Sequence, residues 1–180
     1  LTRRNAHELE AMRRMAGEWG VPFSASWLLA RRPDGGPSSA EECRLSAAEG
    51  LALESEDRAS ADDGTERALR EAGAAAGENF YCRAGRAAFV VNPAGEMNVC
   101  SLLAEPAARP LQTGFAEAWA RVTGYVEAAP PASAECRACD ARADCGRCPA
   151  WSMLETGTLT EPAPYLCEIA RGRRDRRRRG

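Results

Sequence analysis

Apolar residues recur at Leu9, Met12, Ala16 and Trp19, in steps of three and four that put them on one face of a helix. Asn5 and Glu8 predict the start of that helix as a capping box, and Gly20 its end. Val21 to Ala30 is dense in apolar residues and predicts a strand buried on both faces, so that helix and strand form an α/β layer. Pro33-Asp34-Gly35-Gly36-Pro37 is a loop. Ser46 and Glu49 form a second capping box, opening a helix that runs to about Glu56. Thr65 to Ala76 predicts another helix, after a break at Asp57 to Gly64.

At Phe80 the texture changes to an α+β pattern. Ala87–Val91 and Met97–Cys100 predict the two strands of a β-hairpin, joined by Asn92-Pro93-Ala94-Gly95 with Gly95 free to take positive φ. Phe115, Trp119 and Val122 mark an amphipathic helix over roughly Gly114 to Ala128. Pro130-Pro131 then breaks the chain. No internal repeat is visible.

Charge changes the picture only at one end. The chain of 180 residues carries a net charge of −2, and all 24 basic side chains are Arg. The last ten residues hold seven Arg against one Asp, which leaves the first 170 residues at about −8. With no interleaved aromatics this predicts a disordered, solvated tail over 171–180, and nucleic acid is disfavoured as a partner. No apolar run approaches the roughly 18 residues of a membrane span and no signal peptide is visible, so a cytoplasmic protein is expected. The chain begins with Leu1 and reads as a fragment whose start is missing.

Cysteine carries the chemistry. Eight cysteines in 180 residues fall below the roughly 8–10% of a secreted disulfide scaffold. Their grouping in CxxC pairs argues for metal in a reducing compartment. Cys136, Cys139, Cys145 and Cys148 lie within thirteen residues, with Cys82 and Cys100 before them and Cys167 after. Seven thiols exceed one tetrahedral site and suit two iron–sulfur clusters. Cys148 precedes Pro149, and in two-cluster ferredoxins the cysteine before the proline serves the other cluster. The rival is one structural zinc on Cys136, Cys139, Cys145 and Cys148, which leaves Cys82, Cys100 and Cys167 without a role.

The full order is Cys82-x12-Gly95-x4-Cys100, Cys136-x2-Cys139-x5-Cys145-x2-Cys148, then Cys167, with CRAG, FVVNPAGEMNVC, FAEAW and CPA around the thiols. This resembles the SPASM domain, the auxiliary-cluster domain at the C-terminus of many radical SAM enzymes, over about residues 77–170. The spacing before Cys148 departs from the family's usual three residues; here it is two. The resemblance implies that 1–76 is the C-terminal portion of a partial (β/α)6 radical SAM barrel, with TRRN at residues 2–5 in the loop after the fifth strand and Val21–Ala30 as the sixth. It implies Cys82, Cys100 and Cys148 as ligands of a first auxiliary cluster. Cys136, Cys139, Cys145 and Cys167 would be those of a second, both of 4Fe-4S type. S-adenosylmethionine and a third 4Fe-4S cluster would belong to the missing N-terminal part, since no CxxxCxxC motif occurs here. The whole enzyme would cleave S-adenosylmethionine reductively and abstract hydrogen from a substrate, as a maturase of a ribosomally made peptide or protein. Its partners would be that substrate, a peptide-recognition protein, and an electron donor such as flavodoxin or ferredoxin. The alternatives are a family member in tetrapyrrole or cofactor biosynthesis, and a zinc-stabilised binding module.

Relatives often carry an eighth cysteine just upstream of Cys82, where this chain has AGENFY. The first cluster is therefore expected to have three protein thiolates, its fourth position open or filled by Glu78 or Cys43. Otherwise Cys43 reads as a packed or half-exposed thiol and His7 as a surface residue. Glu96, Asp140 and Asp144, though near cysteines, read as solvated side chains.

Overall fold

The structure is a computed structural model that describes residues 1–54, 79–80 and 82–179. The first helix, α1 (Leu9–Glu18), follows a 3-10 turn at Ala6–Glu8. Asn5 does not cap it: its Oδ1 accepts instead from the Thr2 amide at 2.8 Å and the Thr2 hydroxyl at 3.0 Å. Leu9 and Ala16 are buried and Met12 is half-buried, but Trp19 is 68% exposed, so the expected apolar face is not core along its whole length.

The expected strand at Val21–Ala30 is corrected. The segment joins no ladder among the described residues, and only Trp27 in it is buried. A strand exists through its neighbour's N–H and C=O groups; here the local backbone bonds run to α1 and the chain start, Val21 N–H to the Ala16 carbonyl and the Leu1 ammonium to the Ser26 carbonyl.

Helices α2 (Ala40–Cys43) and α3 (Ala47–Leu53) follow. The Ser46 capping box is present in full, with Glu49 N–H donating to Ser46 Oγ at 3.2 Å and Ser46 N–H to Glu49 Oε2 at 2.7 Å. Its helix is described as far as Leu53. The predicted break and the helix at Thr65–Ala76 lie outside the described residues.

The hairpin forms as β1 (Val90–Val91) and β2 (Met97–Asn98), antiparallel with Val90 opposite Asn98 and Val91 opposite Met97, shorter than the two predicted strands. Asn92 shapes the turn by accepting the Ala94 and Glu96 amides on Oδ1 at 2.9 and 3.0 Å, and Gly95 takes φ +77°. After α4 (Pro110–Thr113), helix α5 (Phe115–Glu127) matches the predicted helix in extent and buries Ala118, Val122 and Val126, but Phe115, expected on its apolar face, is 57% exposed. The last helices are α6 (Ala134–Ala138), α7 (Pro149–Thr156) and α8 (Pro164–Arg177). None among the described residues is long and apolar enough to cross a membrane.

Two apolar clusters hold these elements. The first centres on Tyr165, which packs edge-on to Trp27 and stacks on Trp151 with both centroids at 6.2 Å, and gathers Leu45, Leu51, Leu166 and Ile169. Here α3 meets α8, and a Cβ at Gly50 or Gly172 would strike Trp27 or Leu51. The second joins Phe80, Met97, Val99, Val122 and Val126 to Ala150. The boundary expected near residue 76 lies outside the described residues, and the first cluster draws on both sides of it.

The tail is the second correction. Residues 171–177 continue α8 in place of a disordered segment, because its arginines find acidic partners: Arg173 pairs with Glu54, Arg174 with Asp140 at 2.6 Å, and Arg177 with Asp144 at 2.7 Å.

Arg44 and Glu155 pair across the first cluster, with side chains only 16% and 6% exposed. Trp151 Nε1 also donates to Glu155 at 2.9 Å, and the Arg44 guanidinium lies 4.0 Å from the Tyr165 ring centroid. Removing one partner of a buried pair strands the other, so Glu155→Ala is expected to cost about 3 kcal/mol in urea unfolding; a loss below about 1 kcal/mol would mean the pair is effectively solvated.

Candidate metal centres

Short local devices bring the thiols together. Ser133 caps α6 by accepting the Cys136 amide on Oγ at 3.3 Å. Tight turns follow: Cys139 N–H to the Cys136 carbonyl at 3.4 Å, then Arg142 to Cys139 and Cys145 to Arg142, both at 3.2 Å. These wind the stretch back on itself beside the first turn of α8, which carries Cys167. Burial pushes the Cys145 thiol up to about 11 from an ordinary 9, and Cys167, Cys136 and Cys139 add to the rise. Burial also raises Cys167, with Cys136 and Cys139 adding and Arg171 opposing. Cys136 and Cys139 therefore act on both Cys145 and Cys167, which groups these four sulfurs in one neighbourhood.

A second neighbourhood contains Cys82, Cys100 and Cys148. Cys100 follows β2, and its thiol is raised by burial and by Cys82, against the pull of the Leu102 and Leu103 amides. Cys148 is the N-cap residue of α7, packed between the two apolar clusters. Burial raises its thiol, Cys100 and Cys82 add to the rise, and the Trp151 and Ala150 amides oppose it. Amides donating to a sulfur favour the thiolate and tune a metal bound there.

Cys145 and Cys148 thus belong to different sets although only Gly146 and Arg147 separate them. Arg147 holds this switch point. Its amide donates to the Cys145 sulfur. Its Nη1 donates to the Asn79 side-chain and main-chain oxygens, and Nη2 to the Leu159 and Thr160 carbonyls at 2.7 and 3.2 Å.

The neighbouring carboxylates are engaged elsewhere. Glu96 is held below its ordinary range by Asn92 and Arg109. Asp140 and Asp144 pair with the α8 arginines; Asp140 stays solvated as expected, its side chain 62% exposed, whereas Asp144 is 13% exposed and the expectation of a solvated side chain is corrected for it. Cys43 ends α2, half-buried, its carbonyl accepting the Arg3 amide at 2.8 Å, and neither set includes it. Glu78 lies outside the described residues. His7 is exposed. An open cavity of about 580 Å³, lined by Leu9, Arg13, Phe23, Trp27 and Arg173 among others, includes no cysteine in its wall.

Among the described residues no three His, Cys, Asp or Glu side chains converge closely enough to hold a metal ion. Charge coupling reaches well beyond a metal–sulfur bond of about 2.3 Å, so the thiols share two neighbourhoods without forming closed coordination spheres. As donor sets they fit thiolate-bound metal: every member is a soft sulfur, amides point at Cys100, Cys145 and Cys148, and the larger set has the four thiols that a cluster or a zinc takes.

Arg147 and Ser133 were missed as functional residues in the sequence. Ser133, three residues ahead of Cys136 at a helix start, was a usable capping signal; nothing marked Arg147 except its place inside the four-cysteine stretch. No family model matches the chain, and neither the curated proteins nor the solved structures contain a match to it.

The raised thiols set a pH dependence. Between about 9 and 11 the metal-free folded chain keeps a proton on Cys145 that the unfolded chain has released, so its stability is complete below 9 and falls as pH rises towards 11. Tyr125 and Tyr165, also raised by burial, act in the same direction. Metal removes this fall, because ligated thiols are already deprotonated in the folded chain, as they are in the unfolded chain above about 9. Urea unfolding across this window is expected to show falling stability for the metal-free chain and a much flatter profile with metal bound. A flat metal-free profile would contradict burial of these thiols.

Proposed function

We propose that this chain is the C-terminal portion of a radical SAM/SPASM enzyme that modifies a ribosomally made peptide or protein. Cys82, Cys100 and Cys148 hold one auxiliary iron–sulfur cluster, and Cys136, Cys139, Cys145 and Cys167 hold the other. The observation that supports this reading is the partition of seven thiols into sets of three and four, with Cys145 and Cys148 separated. Such clusters supply one-electron redox chemistry or an iron position for a substrate donor. The chain's own work is to present thiolates, to aim amides at three of the sulfurs, and to exclude water with the apolar clusters around Cys148. Free thiols in CxxC pairs support a reducing, cytoplasmic compartment. The partners are the peptide substrate, a peptide-recognition protein and an electron donor such as flavodoxin or ferredoxin. S-adenosylmethionine would be bound and cleaved by a segment with a CxxxCxxC motif, which this chain does not contain.

Four thiols in the larger set also favour a second reading, a tetrahedral zinc that stabilises a binding module. Set-by-set substitution separates the two. After anaerobic reconstitution with iron and sulfide, Cys167→Ala and Cys148→Ala are each expected to lose about half of both, from different sets. Cys43→Ala should lose nothing, and a loss with Glu78→Ala would identify that carboxylate as the fourth ligand of the smaller set. The chain alone should release no 5′-deoxyadenosine from S-adenosylmethionine under strong reductant. Uptake of zinc without sulfide would favour the binding module, and turnover by the chain alone would overturn the assignment to the C-terminal portion.

A further inference from the structure

The Arg147 guanidinium touches segments that lead to both thiol sets. Asn79, which accepts two of its hydrogen bonds, stands three residues before Cys82 of the smaller set. Leu159 and Thr160, which accept the others, lead into α8 and Cys167 of the larger set. The Thr160 carbonyl also accepts the Ser133 amide at 3.1 Å, and Ser133 caps the helix that carries Cys136. Asn79 Nδ2 closes the group by donating to the Leu159 carbonyl at 3.2 Å. Arg147 itself lies between Cys145 and Cys148.

We propose that Arg147 couples the two thiol sets, so that metal bound at one raises the affinity of the other. This rests on the reading of the thiols as metal ligands. A guanidinium is a planar fork of donors, and it meets four acceptors only when all their segments are in register. An ion at the larger set fixes Cys136, Cys145 and Cys167, and with them the 159–160 segment and the base of Arg147. The guanidinium then holds Asn79, and hence the approach to Cys82, in place. The ordering entropy of these loops is lost once, to whichever ion binds first, and the second ion meets ligands already ordered. The backbone between Cys145 and Cys148 is a poor substitute for this link. Gly146 has nothing within 4 Å of where a Cβ would stand, and glycine is the most permissive of residues. Arg147 acts through other groups and is a positioning residue.

The test is a titration of the metal-free 180-residue chain with cadmium, a thiolate-seeking ion, followed by charge-transfer absorbance. The wild-type chain should take up about two ions in one steep transition. Arg147→Met, which keeps the length of the side chain and loses the fork, should fill in two resolved steps, the second weaker by about ten-fold. Arg147→Lys should behave like the Met variant. Far-UV circular dichroism of the metal-saturated variants should match wild type. If Arg147→Met does not fold, Asn79→Ala, which removes one acceptor, should give the same separation in smaller measure. The proposal is overturned by variant titrations that superimpose on wild type, by a wild-type chain that fills in two independent steps, or by a lysine that restores the single transition and so shows charge alone at work. A wild-type chain that binds no cadmium would defeat the metal reading itself, before any variant is made, and this coupling with it.

Discussion

Helix α7 is packed from both sides, and the rest of the structure depends on that. Trp151 belongs to the apolar cluster around Tyr165, Ala150 to the cluster under the hairpin, and Cys148 at the helix start touches both. A helix of eight residues has little stability of its own. Its position is set by burial on two faces, by the Trp151–Glu155–Arg44 contacts along it, and by Gly157 ending it in the left-handed conformation. Where α7 goes, Cys148 goes, and Cys148 decides whether the thiols form one group or two.

The segment just before α7 shows the same economy. Arg147 gathers Asn79, Leu159 and Thr160 where regular secondary structure is short among the described residues. Across the top, Asp140 and Asp144 tie the four-cysteine stretch to α8 through Arg174 and Arg177. Among the described residues, sheet pairing near the thiols is a two-stranded ribbon with isolated bridges at Met97–Ala108 and Ala84–Ala88. The arrangement therefore leans on side-chain to backbone bonds, and metal binding is expected to be linked to folding here.

What could be read from sequence was local. The Ser46 box, the turn at Gly95 and the bounds of α5 rest on neighbours within a few residues, and each stands as expected. What failed depended on distant partners. Trp19 continues the apolar period of α1, but the period names a face and not what covers it. Val21–Ala30 has strand composition, but a strand needs a second strand, which the segment lacks among the described residues. The arginines of 171–177 looked like a solvated run because Glu54, Asp140 and Asp144 lie far from them in sequence. The grouping of the thiols came from the resemblance to the SPASM pattern and not from their spacing alone.

The central claim is that these two neighbourhoods are two iron–sulfur sites. The most direct measurement is native mass spectrometry of the chain isolated without oxygen, combined with thiol labelling. The account predicts a mass increase matching two iron–sulfur cores, with Cys43 the main thiol open to alkylation until the metal is stripped. A chain that carries a single zinc, with Cys82 and Cys100 freely labelled, would contradict it.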